Sequence, residues 1–344
     1  MFKRLASAAA AIAAGLTISC MAGTVQAAGT TATYTSEITG EPISASLQTQ
    51  RPIAVMIDND ERSLPHYNVS SADVVYEMVN STLLNRITRL MCVYKDWDNA
   101  SLAQIGNIRS ARPTNILLAS EYNAVLCHDG GPFYNTPYFE STAIDDFSGD
   151  AVFSRVSNGK AREFTEYILP GDLDKGFVKM GYSKNYTENV GSHFNFAPYG
   201  TEVHLENVYG AACPVANLVT LPFGHSNSML AYDPTSGLYA YWEYGQPAVD
   251  GANGQQIAFK NVIIQFCDFT QYDKNGYLIY NCVGQNKLGY YITNGRAVPI
   301  YWNKLTETGK TQYYDVNGNE IQINTGKTYV ALVPDDSIAT TILQ

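Results

Sequence analysis

A short arginine motif in the first half of the chain has the residue types of an anion site. Arg109 and Arg112 flank Ser110, and Ser110 followed by a proline in the first turn predicts the start of a helix. Free backbone N–H groups and the helix dipole favour an anion there, and arginines add charge-assisted hydrogen bonds. Arg89, in the preceding predicted strand, and His128, at the end of the next one, can converge on the same edge. We therefore expect an anion site formed by Arg89, Arg109, Ser110, Arg112 and His128.

The same arginines have a structural alternative. Arginine at a helix N-terminus also pairs with buried carboxylates, and Asp73 and Glu77 belong to a neighbouring predicted strand. Asp58, at the end of the first predicted strand, is a further supporting carboxylate. Two interpretations stay open: an anion pocket supported by Asp58, Asp73 and Glu77, or an ion-pair network that only stabilises the fold.

Nucleophilic catalysis has little support in the sequence, and no residue is assigned a catalytic role. Cys127 and His128 are neighbours in a predicted strand, so their side chains point to opposite faces and do not form a base-activated pair. The G-x-S-x-G pattern is absent. The enzyme alternative is a wall-modifying hydrolase or transferase that uses His128 with nearby carboxylates such as Asp58 or Glu77.

The residue spacing indicates neither a metal nor a cofactor. The five histidines are scattered and form no H-E-x-x-H pattern. The five cysteines after residue 27 are widely spaced, and no pair has metal-ligand separation. Cys267 and Cys282 end two apolar runs around an Asn-Gly turn, so a disulfide and two buried thiols are both open.

Mixed strand and helix patterns predict a layered α/β domain over residues 51–204. Continuous apolar runs indicate strands, and runs rich in Ala, Leu and Glu indicate helices. The predicted elements are strands over 53–57, 74–79, 87–94 and 124–127 and helices over 111–122 and 160–169.

Repeated hairpin signals predict an antiparallel, β-rich domain over residues 205–344. Short runs of Val, Ile, Tyr and Phe alternate with turn residues, and Asn-Gly between apolar runs is a strong hairpin signal. The turns are Pro234-Thr235-Ser236-Gly237, Asn253-Gly254, Asn275-Gly276, Asn294-Gly295 and Asn317-Gly318. The fold class is therefore predicted to be α+β, with an α/β domain followed by a β-rich one.

Several stretches of this chain, in order, resemble the YerB-like family, bacterial proteins described as lipoproteins and built from two domains of unknown function. The resemblance implies a layered α/β N-terminal domain, a β-rich C-terminal domain and a location outside the cytoplasm, but it supplies no reaction. The stretches are RPIAVMIDN (51–59), ADVVYE (72–77), TR (88–89), RSARP (109–113), HDGG (128–131), YD (232–233), NVII (261–264) and LVP (332–334).

The first residues have the order of an export signal. Lys3 and Arg4 precede an uncharged, Ala-rich run, and small residues follow up to Ala27. We expect residues 1–27 to be a signal peptide and residues 28–50, rich in Thr, Ser, Ala and Gly, to be a flexible spacer. Lipidation of Cys20 is the alternative, although Thr17 stands where a lipoprotein signal usually has leucine. The mature protein is thus expected to be extracytoplasmic, either secreted or associated with the cell envelope.

Net charge and hydropathy limit the classes of partner that the protein can bind. The chain has 22 basic and 32 acidic residues, and loss of Lys3 and Arg4 leaves a net charge of −12. This negative charge repels the phosphate backbone and disfavours binding of nucleic acid. Beyond the signal, no apolar stretch approaches the roughly 20 residues of a membrane span. We expect a non-enzymatic envelope protein that binds an anionic wall component or another envelope protein through its N-terminal domain.

Overall fold

The computed structural model describes residues 33–210 and 213–344, so the predicted signal peptide and Cys20 lie outside the described residues. In the first range, strands outnumber helices. The strands are β1 (Thr33–Thr35), β2 (Pro42–Ser44), β3 (Ile53–Asp58), β4 (Val74–Val79), β5 (Thr88–Tyr94), β6 (Ile105–Gly106), β7 (Val125–His128), β8 (Asp146–Ser148), β9 (Ser154–Arg155) and β10 (Glu166–Ile168). The helices are α1 (Leu83–Arg86), α2 (Pro113–Ser120), α3 (Thr136–Thr142), α4 (Asp172–Met180) and α5 (Leu205–Tyr209).

The second range consists mainly of strands. They are β11 (Leu218–Thr220), β12 (Met229–Asp233), β13 (Leu238–Glu243), β14 (Gln246–Pro247), β15 (Ala258–Phe259), β16 (Asn261–Cys267), β17 (Phe269–Gln271), β18 (Leu278–Tyr280), β19 (Gly284–Thr293), β20 (Arg296–Lys304), β21 (Gln312–Tyr314), β22 (Thr328–Pro334) and β23 (Ile342–Leu343). Short 3-10 turns lie at Ala45–Leu47, Glu61–Ser63, Val69–Ser71, Phe133–Asn135, Gly149–Ala151, Arg162–Phe164 and Asp335–Thr340. The protein is thus β-rich.

A ten-stranded mixed sheet joins the two halves of the sequence. Its order is β21-β20-β19-β16-β22-β4-β5-β3-β7-β8, with five strands from each half. The junction is a parallel pair in which Val74 of β4 lies opposite Thr328 of β22. Every residue of β3, β4, β5, β16 and β22 is buried, as expected for central strands covered on both faces. The two halves therefore share a sheet and a core, and the boundary predicted at 204/205 stays a prediction.

Several predictions about local structure were wrong. Residues 33–50 are not a flexible spacer, because β1 and β2 pair within them and Ile38 is buried in the core. Residues 160–169 do not form a helix: they contain a 3-10 turn and β10, which pairs with β6 through Tyr167 and Gly106. The next helix, α4, begins after Gly171, whose φ of 85° suits glycine, so the Pro-Gly pair starts a helix rather than ending one. The second half is also not purely antiparallel, because β22 pairs in parallel with both β16 and β4.

Local turn signals were more reliable. Hairpins at Pro234-Thr235-Ser236-Gly237, Asn275-Gly276 and Asn294-Gly295 are confirmed by the antiparallel pairs β12–β13, β17–β18 and β19–β20. Of the two alternatives for Cys267 and Cys282, the structure has two free, buried thiols. The layered α/β arrangement of the first half stays a prediction.

Candidate functional site

The candidate site lies where two neighbouring parallel strands end. β3 and β7 pair in parallel, and residues 107–111 cross between their carboxyl ends. The Arg109 N–H donates to Met56 O (2.9 Å), and Arg109 O accepts from the Asp129 N–H (2.9 Å). Ligands of open α/β sheets bind at the carboxyl edge of the strands. The sheet therefore carries the predicted arginine motif to a position suited to a ligand.

Two buried arginines converge on Ser110. Arg89 donates from Nη1 to Ser110 Oγ and O, both at 3.1 Å, and Arg112 donates from Nη1 to Ser110 Oγ at 3.0 Å. The two arginines are only 5% and 4% exposed. Because Ser110 Oγ is occupied by the guanidinium groups, Ser110 is not the helix cap that the sequence predicted. The cap position of α2 is Arg112, whose N–H donates to Asn115 Oδ1 (2.8 Å).

Asp58 is the buried carboxylate that faces these arginines. Its Oδ2 lies 2.9 Å from Arg109 Nε, and its Oδ1 lies 3.7 Å from Arg89 Nη2. Arg109, at the rim, also pairs with the half-exposed Glu163 at 3.1 Å. Among the described residues, no carboxylate lies within 4.0 Å of Arg112, whose guanidinium carbon instead lies 3.8 Å from the centroid of the Tyr277 ring. The buried interior of the site thus carries an excess of positive charge.

Several buried polar atoms at the site have no hydrogen-bond partner in the described part of the chain. These are Nε of Arg89 and of Arg112, Oη of Tyr134 and Oδ1 of Asn135. Burial lowers the pKa of Arg112, and burial together with the neighbouring arginines lowers the pKa of Arg89 to about 9. Arg89 is therefore still charged at neutral pH. Unpaired buried donors are costly, and an anion is the kind of partner that the two arginine Nε atoms favour.

His128 lies beside this cluster and contacts other groups. Its Nδ1 donates to Gly130 O (2.8 Å), its Nε2 lies 3.1 Å from Asp146 Oδ2, and its ring stacks on Phe139. Gly130 O also accepts from the Ala111 N–H (3.1 Å). His128 therefore holds the turn against which the arginine motif packs, and both of its ring nitrogens are occupied.

The arginines do not pair with Asp73 or Glu77. Asp73 Oδ2 accepts from the Lys95 N–H (2.6 Å), and burial raises the pKa of Asp73 to about 6. Glu77 is fully buried and accepts only from neutral donors, while burial raises its pKa. These donors are the side chains of Asn59, Thr88, Ser226, Ser228, Tyr241 and Tyr329. A structural ion-pair network must therefore depend on Asp58.

A carboxyl pair that was not predicted from the sequence lies close to Arg109. Glu166 Oε1 and Asp129 Oδ2 lie 3.2 and 3.3 Å from the same atom, Arg155 Nη2. Burial, reinforced by Asp129, raises the pKa of Glu166 to about 8. The Glu166 backbone carbonyl accepts from the Ile108 N–H (2.8 Å), which places the pair next to the arginine motif. No sequence signal links these residues, because they lie in separate segments.

A large surface cavity elsewhere is a weaker candidate for an anion. It has a volume of about 570 Å³ and is lined by Lys260, Lys327 and Tyr199 among others. Lys260 is 2.8 Å from Glu202, so its charge is already paired, whereas Lys327 donates to Ser70 O. The arginine site differs because three guanidinium groups surround one buried carboxylate, Asp58.

Comparison with known proteins identifies the class. Residues 38–183 match the N-terminal domain, and residues 219–330 the C-terminal domain, of the protein family of unknown function DUF3048. The chain belongs to this two-domain family. It is 23% identical over 306 residues to the protein named "Putative lipoprotein YerB" of Bacillus subtilis (strain 168), covering 87% of this chain and 86% of the relative.

The crystal structure of YerB from Bacillus subtilis has the same fold. The superposition has a TM-score of 0.75 at 18% identity and covers 90% of this chain and 99% of the other. Within residues 33–210 and 213–344, no helix is long and apolar enough to cross a membrane. Across those same ranges, no group of three or more His, Cys, Asp and Glu residues is arranged to hold a metal ion.

Proposed function

We propose that this protein binds an anionic group of a cell-envelope component at the arginine site, defined as Arg89, Arg109, Ser110 and Arg112. The observation that carries the proposal is Arg112, a residue that is only 4% exposed and whose guanidinium has no carboxylate within 4.0 Å among the described residues. A buried charge needs a partner, and a phosphate or carboxylate supplies both a counter-charge and acceptor oxygens. Asp58 offsets part of the charge and orients Arg109.

The envelope location rests on two further observations. The N-terminus has the charged, apolar and small-residue order of an export signal, and the relative from Bacillus subtilis carries a lipoprotein name. The ligand is therefore an anionic wall component, or an envelope protein that presents such a group. Cleavage after Ala27 would release the protein, whereas lipidation of Cys20 would anchor it.

The enzyme alternative has less geometric support. A general base needs a ring nitrogen that can reach the substrate. Both nitrogens of His128 are occupied, by Gly130 O and by Asp146 Oδ2. Asp58 faces arginines rather than His128, and Glu77 is enclosed by neutral donors.

The proposal is tested by changing Arg112 to alanine. Inorganic phosphate is titrated into the folded protein by calorimetry, with Arg296→Ala as the control. Arg296 is a half-buried arginine of β20, five strands away from β5 in the sheet, and its Nη1 donates to Cys213 O. Loss of a charged hydrogen bond, worth about 1.5 to 3 kcal/mol, should weaken phosphate binding roughly 10- to 150-fold in Arg112→Ala only.

Thermal melts of the same proteins separate binding from folding. Arg112→Ala strands no carboxylate, but it removes a buried side chain that donates to Ser110 Oγ and Ala111 O, so we expect a lower melting temperature in a protein that still folds. A variant that melts much earlier but binds phosphate as wild type does would show that Arg112 only stabilises the fold. Absence of phosphate binding by the wild-type protein would also refute the proposal.

A further inference from the structure

Aromatic side chains from both halves of the chain border the arginine site. The Tyr277 ring lies under the guanidinium of Arg112. Tyr134 and Tyr272 contact each other with their ring planes tilted by 37° and their centroids 3.9 Å apart, and Phe133 meets Tyr134 edge-on at 5.5 Å. Phe133 and Tyr134 follow β7, whereas Tyr272 and Tyr277 belong to the β17–β18 hairpin. The border is therefore complete only when the two halves are folded together.

This border is apolar and exposed on the outside but polar and buried on the inside. Phe133 is 81% exposed and Tyr272 is 49% exposed. Tyr134 and Asn135 are about 95% buried, and Tyr134 Oη and Asn135 Oδ1 have no partner in the described part of the chain. Asn135 Nδ2 donates to Ala111 O (3.1 Å), which ties this segment to the arginine motif.

The border is held in place before any ligand arrives. The Tyr280 N–H donates to Thr114 Oγ1 of α2 (3.0 Å), and the Thr82 N–H donates to Gly276 O at the hairpin tip (2.8 Å). On the other side, a Cβ on Gly131 would lie 2.2 Å from Asn135 Nδ2, so glycine allows the close approach. A preformed site loses less conformational entropy on binding than one that must be ordered.

Resting on the proposed function, we infer that the ligand is an acidic saccharide. Its phosphate or carboxylate binds the arginine site, while the apolar face of its sugar ring packs on Tyr272 and Phe133. An inorganic anion would satisfy the arginines alone and would leave the exposed faces of Tyr272 and Phe133 unused.

The test compares ligands that share a phosphate and differ in the group attached to it. Glucose 1-phosphate, glycerol 3-phosphate, phenyl phosphate and inorganic phosphate are titrated into wild type, Tyr272→Ala and Tyr199→Ala. Tyr199 is a control tyrosine, 61% exposed, that lines the cavity at Lys260.

We expect glucose 1-phosphate to bind at least about tenfold more tightly than inorganic phosphate and glycerol 3-phosphate, because only it presents a sugar ring. Tyr272→Ala should remove this advantage without changing the dissociation constant of inorganic phosphate, and Tyr199→Ala should keep it.

Three other outcomes would overturn the saccharide inference or the proposed function. Equal affinities for glucose 1-phosphate and inorganic phosphate, both lost in Arg112→Ala, would overturn the saccharide inference and leave anion binding intact. Tighter binding of phenyl phosphate than of glucose 1-phosphate would identify an aromatic ligand and overturn the inference as well. No binding of any phosphate would refute the proposed function itself.

Discussion

The buried arginines explain why a ligand should stabilise this protein. Arg89 has a pKa of about 9 instead of the ordinary 12.5, because burial and two neighbouring arginines disfavour its charged form. A bound anion reverses that effect by supplying a counter-charge in a site of low polarity. Binding to the folded state alone then raises the free energy of unfolding in proportion to the logarithm of ligand concentration.

Glu166 leads to a prediction about pH. Its pKa rises from 4.5 to about 8 in the folded protein, so the folded state holds a proton that the unfolded state releases. The stabilisation from this proton is fully present below about pH 4.5 and is lost as the pH rises through about 8. We expect Glu166→Gln, which mimics the protonated form, to have a flatter dependence of the free energy of unfolding on pH.

The measurement is urea unfolding at several pH values from 5 to 9. Glu140→Gln, at an exposed position in α3, is the matched control and should keep the wild-type slope. Asp73, with a pKa of about 6, contributes a slope of the same sign in every variant, so the difference between variants isolates Glu166. A Glu166→Gln slope equal to that of wild type would show that Glu166 is ionised in the folded protein.

The β17–β18 hairpin is the element that joins the second half of the chain to the arginine site. Its tip residue Gly276 has a φ of +72°, and a Cβ there would lie 2.4 Å from Thr82 Oγ1. Gly254, with a φ of +70°, has open space around it. The two glycines thus have the same backbone conformation and differ in their surroundings.

We expect Gly276→Ala to destabilise the protein more than Gly254→Ala. Alanine at a positive φ costs about 1 kcal/mol at either position. At Gly276 the clash with Thr82 should add about 1 to 3 kcal/mol, and displacement of Tyr277 should weaken phosphate binding. Urea unfolding and calorimetry measure both effects. Equal destabilisation by the two substitutions would mean that the hairpin tip moves freely.

At the scale of the whole molecule, Glu77 connects the two halves. Its carboxylate accepts from Asn59 and Thr88 in the first half and from Ser226, Ser228, Tyr241 and Tyr329 in the second. Six donors converge on this one carboxyl group, and a donor left unpaired in the core is costly. The network therefore reinforces the shared sheet.

This connection leads to a prediction about limited proteolysis. A cut between about Pro198 and Pro214 should yield two fragments that stay together in native gel filtration, because β4 and β22 pair across the boundary. Glu77→Ala should lower the free energy of unfolding by about 3 kcal/mol or more and let the nicked fragments separate at lower urea, whereas exposed Glu140→Ala should not. Fragments that separate spontaneously would show that each half has an independent core.

Several strands and hairpin turns could be predicted from the sequence. Apolar runs and turn pairs such as Asn294-Gly295 act over a few residues, so their signals survive in isolation. Residues 160–169 show the limit: pairing of Tyr167 with Gly106 overrides local helix preference, because strand formation depends on a partner about 60 residues away.

The partners of the arginines were decided only by tertiary structure. Arg112 meets Tyr277 and not Glu77, because the order β22-β4-β5-β3-β7 determines which strand ends are adjacent and the β17–β18 hairpin packs on α2. Burial then determines the chemistry of Arg112. Water would solvate its guanidinium at the surface, whereas in the buried site the charge has no carboxylate partner among the described residues. Composition and spacing contain no information on either point, because sheet order and burial arise from contacts between residues far apart in the chain.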